Sequence, residues 1–176
     1  MTEVARLNLG CGDAPLAGYV NVDISPSPGV DAVFDLRVFP WPFPDNRFDE
    51  VRAWDVLEHL PDTIRTVEEI WRVCRNDATV ALRVPYWNSR WAWMDPQHQR
   101  AFHERTFDFF DPATKQGGKR GYYSHARFHI EEVVFEGCWF FFGLPWQWKR
   151  PGNRPSRILN AATNLCDIVH FLQFRL

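Results

Sequence analysis

The sequence lacks any apolar run near the roughly 18 residues that a membrane span needs. Residues 1–9 have no basic flank leading into an apolar stretch. Neither a transmembrane segment nor a secretory signal is therefore expected. Clustered cysteines are missing too: Cys11, Cys74, Cys138 and Cys166 stand far apart, with no Cys-x-x-Cys pair. This speaks against a disulfide scaffold and against a cysteine-built zinc site. Separate reduced thiols in a cytoplasmic protein is the plain reading. A basic excess is absent as well, with 20 Lys+Arg against 22 Asp+Glu and a net charge of −2, so no nucleic-acid partner is expected. There is no internal repeat and no low-complexity tract. What the chain has in plenty is tryptophan, nine residues mostly in its second half, a side chain that fills cores and lines binding surfaces. A length of 176 residues with 45% apolar content suits one domain, 1–176.

In the first half, short apolar runs alternate with turn residues. Strands are predicted over residues 5–9, 19–24, 32–36, 48–54 and 79–84. Near-continuous apolar strands of this kind suit a parallel sheet buried on both faces. Thr63 is a candidate N-cap for a helix carrying Val67, Ile70, Trp71 and Cys74 at helical spacing. That helix would connect the fourth and fifth strands. Only nine residues, 10–18, separate the first two strands, and only seven, 25–31, the next two. A helical crossover takes about a dozen residues or more, so the first two crossover helices are reduced or absent. In the second half, a short helix is expected near 104–110 and a loop at 115–121. Residues 127–144 read as two antiparallel strands turning at Glu136-Gly137. A loop at 149–155, an amphipathic helix at 156–170 and a terminal strand at 171–176 follow.

The polar residues that end the first-half strands form a pattern. Leu7-Asn8-Leu9 runs into Gly10-Cys11-Gly12, where missing side chains let the backbone turn and approach a ligand. Asp23 ends the second strand, Asp35-Leu36 the third and Asp55-Val56 the fourth. Ligands of open α/β sheets bind at that carboxyl edge, and an acid at the end of the second strand suits ribose hydroxyls. A tight turn and a turn-initiating aspartate are the plainer explanations of each feature alone.

Together the motifs resemble those of class I, Rossmann-like methyltransferases that use S-adenosylmethionine. Asn8-Leu9-Gly10-Cys11-Gly12 resembles their first motif, and Asp23 their ribose-binding acid. Phe43-Pro44-Asp45-Asn46-Arg47-Phe48-Asp49-Glu50-Val51 resembles the approach to their fourth strand. Asp55-Val56-Leu57-Glu58-His59-Leu60 and Glu68-Glu69-Ile70-Trp71-Arg72-Val73-Cys74 are similar to the two stretches that follow. The resemblance covers about residues 5–85 and implies a cofactor-binding half, 1–85, and an acceptor-side half, 86–176. It implies a Rossmann-like, mostly parallel α/β sheet with a C-terminal antiparallel hairpin. The short connections and Gly18-Tyr19-Val20-Asn21-Val22-Asp23-Ile24-Ser25 are similar to small predicted methyltransferases of cell-surface polysaccharide gene clusters. Arg75-Asn76-Asp77 departs from the family's Lys-Pro-Gly-Gly turn, although Asn-Asp also suits a turn.

By position, the resemblance implies that Asn8, Gly10, Cys11 and Gly12 pass beneath the methionine part of the cofactor. Asp23 would hold the ribose, with Ile24 against the adenine. Asp35 would accept from the adenine amino group beside Leu36, and Asp55, Val56 and His59 would face the reacting end. Glu58 and Leu60 read equally well as helix packing and capping. The acceptor would be a small molecule or glycan, methylated on oxygen or nitrogen. His98 is the candidate base, because histidine titrates near neutral pH, and His103 is a weaker one. Tyr86, Trp87, Trp91 and Trp93 would form a lid. Trp139–Phe142, Trp146 and Trp148 are candidates for core, for membrane-surface contact or for a homodimer face. No metal is expected, since His125 and His129 on a strand would sit about 13 Å apart. The competing reading is a non-catalytic cofactor-binding module acting through its aromatic C-terminal surface. A nicotinamide enzyme fits poorly, because Pro15 stands where Gly-x-Gly-x-x-Gly needs its third glycine.

Overall fold

A computed structural model of the chain describes residues 4–138, 145–151 and 171–175. Eight strands form a single sheet: β1 (Arg6–Leu9), β2 (Val20–Asp23), β3 (Ala32–Val33), β4 (Phe48–Trp54), β5 (Cys74–Pro85), β6 (Glu132–Cys138), β7 (Pro145–Pro151) and β8 (Phe171–Arg175). Their order is β3-β2-β1-β4-β5-β8-β6-β7. The first five pair in parallel. β8 runs antiparallel to both β5 and β6, and β7 closes the edge antiparallel to β6. The sheet is the Rossmann-like, mostly parallel α/β arrangement with a C-terminal antiparallel hairpin.

The strands form where apolar runs bury against helix α1 (Thr63–Val73). Leu7, Leu9, Val22, Val51, Ala53, Val80 and Leu82 join Val67, Ile70 and Val73 in one core. Each such aliphatic side chain contributes about 1.5–3 kcal/mol on burial. The cap of α1 is Asp62 rather than Thr63: its carboxylate accepts from Arg65 N at 3.0 Å. Thr63 is instead the first helical residue, and its side chain is buried.

Neither of the first two connections contains a helix. A buried asparagine holds both. Asn21 Oδ1 accepts from Asn8 Nδ2 at 3.0 Å and from Leu16 N at 2.8 Å. Its Nδ2 donates to the Leu16 and Tyr19 carbonyls. Its backbone N–H donates to Asp31 Oδ2 at 2.7 Å, and Asp31 N returns a bond to the Asn21 carbonyl at 2.8 Å. One side chain thereby satisfies the turn before β2 and helps bind the turn after it. The loop from β3 to β4 is tied to α1 in a similar way. Glu69 accepts from Trp41 N at 2.8 Å, while the Arg72 guanidinium reaches Glu69, Asp45 and the Phe43 and Trp41 carbonyls.

Several expectations need correction. β3 is only two residues long, and β5 begins at Cys74 rather than 79, its backbone passing through Asp77 at φ +63°. Residues 115–121 are not simply a loop. Lys115–Arg120 form helix α2, because Thr114 caps Gly117 N at 2.9 Å. Gly117 lets that turn press against the Asp111 carbonyl, where a Cβ would stand 2.1 Å away. β6 runs straight through Glu136-Gly137, which is no turn: Gly137 pairs with Trp146 inside the ladder. Val133, Val134 and Phe135 are all buried, as an inner strand covered on both faces requires. β7 extends to Pro151, so 149–151 is strand. The expected helix at 156–170 lies outside the described residues, as does Trp139–Phe142.

Asn21→Ala removes several buried bonds at once and is expected to destabilise the protein by about 2–3 kcal/mol. Asn8→Ala breaks one of them and should cost less than half as much. Urea unfolding of the two variants checks this, and equal losses would show that the network does not secure the short connections.

Candidate functional site

Parallel register decides where the site is. Leu9 lies opposite Val22 on β2 and Ala53 on β4, so Gly10, Asp23 and Asp55 leave the sheet side by side. Gly10 turns at φ +59°, and a Cβ there would stand 2.4 Å from Val56 Cγ2. Only glycine fits between the turn and Val56. Gly12 N donates to Asp23 Oδ2 at 2.8 Å and Ser25 N to Oδ1 at 3.0 Å. Two backbone donors thus orient this carboxylate and leave each oxygen able to accept again. Asp55 adopts φ +55° and pairs with the Arg83 guanidinium. Arg83 also lies over the Trp54 ring at 4.6 Å, with Arg52 over that ring at 3.3 Å.

Gly10, Asp23, Ile24, Asp35, Leu36, Asp55, Val56 and His59 line one cleft of about 740 Å³. Phe34, Arg37, Leu60, Pro96, Gln97 and Gln99 complete it. Asn8, Cys11 and Gly12 are not part of this lining. Asn8 and Cys11 are buried, and Asn8 serves the Asn21 network. Burial and the nearby Asp23 push the Cys11 thiol above its ordinary range. A second groove of similar size, about 770 Å³, runs past Asn46, Cys74 and Arg75 at the amino ends of β4 and β5. It has neither the glycine turn nor the strand-end acids.

Residues 7–82 match the profile of the methyltransferase domain family. No curated protein matches the sequence significantly. The fold is similar to that of a methyltransferase from Archaeoglobus fulgidus, described as SAM dependent, at 18% identity and TM-score 0.59, over 99% of this chain and 87% of that one. It is also similar to a Thermotoga maritima protein described as a possible histamine N-methyltransferase, at 13% identity and TM-score 0.59, over 99% and 82%. A Methanosarcina mazei methyltransferase aligns at 17% identity and TM-score 0.55, over 99% and 93%. These structural likenesses are likenesses of fold.

The cleft suits S-adenosylmethionine, the cofactor that the description of the Archaeoglobus fulgidus protein names. Its volume lies within the usual range of ligand pockets, about 300–1,000 Å³. An apolar stretch of Ile24, Phe34 and Leu36 lies between acids at either end, and Ile24 is 58% exposed. The short connections therefore leave the cleft open beside Ile24. Asp35 also departs from expectation. Both of its oxygens already accept from Arg37, and those bonds hold its carboxyl below the usual range. An adenine amino group would compete with that fork.

The far end of the cleft holds a cluster that sequence spacing did not reveal. Glu58 and His59 lie in the single 3-10 turn Leu57–His59. Glu58 is only 1% exposed, and neither carboxylate oxygen has a hydrogen-bond partner. Burial pushes its carboxyl up to about 8. The His59 ring meets the His98 ring edge-on at 4.7 Å. Burial, and then the neighbouring His98, pull His59 below the ordinary histidine range. His98 Nδ1 lies 3.2 Å from the Ala92 carbonyl. When that nitrogen donates, Nε2 keeps its lone pair.

Other candidates are placed elsewhere. His103 accepts from Arg105 N at 3.2 Å and stacks beside Trp87. Tyr86 is a core residue, not a lid: it is 1% exposed and donates to Glu104 at 3.0 Å. Trp87, Trp91 and Trp93 are exposed. His125 and His129 precede β6 rather than sharing a strand. They face different carboxylates, those of Glu68 and Asp111. Pro96 and Gln97 were within reach of sequence reasoning, since they adjoin His98. Arg37 carried no such signal.

Asp23→Ala is expected to weaken S-adenosylhomocysteine binding at least tenfold, because it removes the carboxylate at the cleft and the two bonds that shape the glycine turn. Isothermal titration calorimetry checks this. Unchanged affinity would remove Asp23 from the cofactor site.

Proposed function

We propose that the chain transfers a methyl group from S-adenosylmethionine to an oxygen or nitrogen of a small molecule or glycan. Residues 1–85 would hold the cofactor and 86–176 would face the acceptor within one domain. One observation carries this reading: Gly10, Asp23, Asp55 and His59 border a single cleft that Pro96, Gln97 and Gln99 close from the second half. The bound cofactor supplies a methyl on a sulfonium, so an acceptor–carbon bond forms as carbon–sulfur breaks, the electron pair staying on sulfur. Asp23 would accept from the ribose hydroxyls. Ile24, Leu36 and Phe34 would lie against the adenine. Asp55 and Val56 would face the reacting end, where alignment and exclusion of water supply most of the catalysis.

The acceptor's proton would leave near His59, which lines the cleft, and His98, whose ring meets that of His59, would receive it. The exposed Gln97 and Gln99 amides and the rings of Trp87, Trp91 and Trp93 suit a polyhydroxyl or flat acceptor. The Thermotoga protein's description names an amine acceptor, which keeps nitrogen within this reading. Free, buried thiols at Cys11 and Cys74 support a cytoplasmic setting. No helix among the described residues is long and apolar enough to cross a membrane. β7 carries Trp146 and Trp148 on the edge of the sheet, which supports a homodimer through that strand.

Product formation from methyl-labelled cofactor across a panel of sugars, phenols and amines tests the transfer. His98→Gln should lower kcat about 100-fold while leaving S-adenosylhomocysteine affinity unchanged. A variant with full turnover would exclude His98 from the acceptor's proton transfer.

A further inference from the structure

We propose that Glu58, His59 and His98 form a site for a divalent transition-metal ion, of the zinc type, at the acceptor end of the cleft. One ligand atom from each of the three lies within 4.8 Å of the others. Tetrahedral donors at about 2.0–2.2 Å from one zinc ion stand roughly 3.3–3.6 Å apart. Side-chain adjustments of roughly 1–1.5 Å therefore close the set.

The buried carboxylate points to a ligand independently of that geometry. Both Glu58 oxygens lack a donor, although the residue is almost wholly enclosed. A carboxyl enclosed in this way either keeps its proton or gives it up to bind a cation. Among the described residues no cationic side chain bonds to a Glu58 oxygen, and the Arg83 guanidinium acts on it only at longer range. Two imidazoles beside the carboxylate give the nitrogen-and-oxygen set that zinc and its neighbours take, rather than the all-oxygen set of magnesium or calcium.

Supporting contacts fit the same role. The Ala92 carbonyl stands 3.2 Å from His98 Nδ1, and a carbonyl on one ring nitrogen fixes the other as the ligand. Gln99 N donates to the Glu58 carbonyl at 2.6 Å, tying the His98 segment to the turn that carries the other two ligands. The carboxylates of Asp55 and Asp95 act on both Glu58 and His59 and make the corner attractive to a cation.

Three protein ligands leave a tetrahedral ion one open position, the pattern of catalytic rather than structural zinc. His59 also lines the cleft, so that position is reachable by an acceptor hydroxyl. This part rests on the methyl-transfer reading above. A metal-bound hydroxyl loses its proton more easily. The proton passes to solvent, the oxygen then takes the methyl, and the carbon–sulfur bond breaks. With the ion bound, His98 serves as a ligand rather than as the free base.

Calorimetric titration of the full chain, first dialysed against a chelator, with zinc chloride and separately with magnesium chloride tests the site. One equivalent of zinc is expected to bind with micromolar or tighter affinity, and magnesium is expected not to bind. His98→Gln and Glu58→Gln should each weaken zinc at least tenfold, and His103→Gln, at a histidine outside the cluster, should leave it unchanged. His98→Gln lies on a partly exposed segment and keeps the test valid should Glu58→Gln fail to fold. Absence of zinc uptake by the wild type, or uptake indifferent to both ligand variants, would overturn the site. S-adenosylhomocysteine titration of the same samples separates the two readings. Cofactor binding without zinc sinks only the metal site, and zinc binding without cofactor sinks only the methyltransferase cleft.

Discussion

The parallel register of β1 with β2 and β4 is the constraint on which the rest depends. Because Leu9 pairs across to Val22 on one side and to Ala53 on the other, three short segments end together. A one-residue slip would reverse every side chain on the slipped strand. Leu7, Leu9, Val51 and Ala53 would then leave the core for the opposite face. The core therefore enforces the alignment that brings Gly10, Asp23 and Asp55 to one edge. The functional groups add little to that choice. They inherit their positions from the burial of apolar neighbours one residue away.

Short connections would ordinarily threaten such an arrangement, since each missing crossover helix removes an apolar cover and a set of satisfied backbone groups. The chain compensates with side chains. Asn21 supplies donors and acceptors to the turn before β2 while its backbone binds Asp31 beyond it. Glu69 and Arg72 hold the loop that carries Trp41, whose indole donates to the Leu36 carbonyl at 3.0 Å. That bond places Leu36 at the cleft. Such networks stabilise only when every member is satisfied, so they are less tolerant of substitution than a helix face would be.

The first half of the fold was legible because its signals are local. Apolar runs ended by Gly10 and Asp23, and by Trp54-Asp55, mark strand ends wherever the chain goes next. The length of the connections alone excluded helices there. The second half was less legible because its structure depends on distant partners. Gly137 reads as a turn in isolation, yet β7 and β8 flank its strand and carry it through. Residues 115–121 read as a glycine loop until Thr114 caps them and Asp111 receives Gly117. The same limit hid the cluster at the far end of the cleft. Glu58 and His59 were visible within a family motif and His98 within a polar stretch, but nothing in their separation of about forty residues announces contact.

The acids of the cleft differ in what already holds them, and this difference divides its chemistry. Asp23 is fixed by backbone amides, which neutralise little of its charge and leave lone pairs for hydroxyls. Asp35 and Asp55 are each matched by a guanidinium, from Arg37 and Arg83. Such partners orient a carboxylate and reduce the field that a second cation would feel. Glu58 has neither kind of partner and is the most deeply enclosed of the four. A positively charged cofactor can be accommodated by the partly solvated acids with their existing partners in place. The enclosed one gains most from a full positive charge beside it, because attraction between charges strengthens as water is excluded. On the two readings proposed above, the ends of one cleft would hold different guests, a nucleoside where the backbone donors lie and a small cation where the histidines meet the unpaired carboxyl.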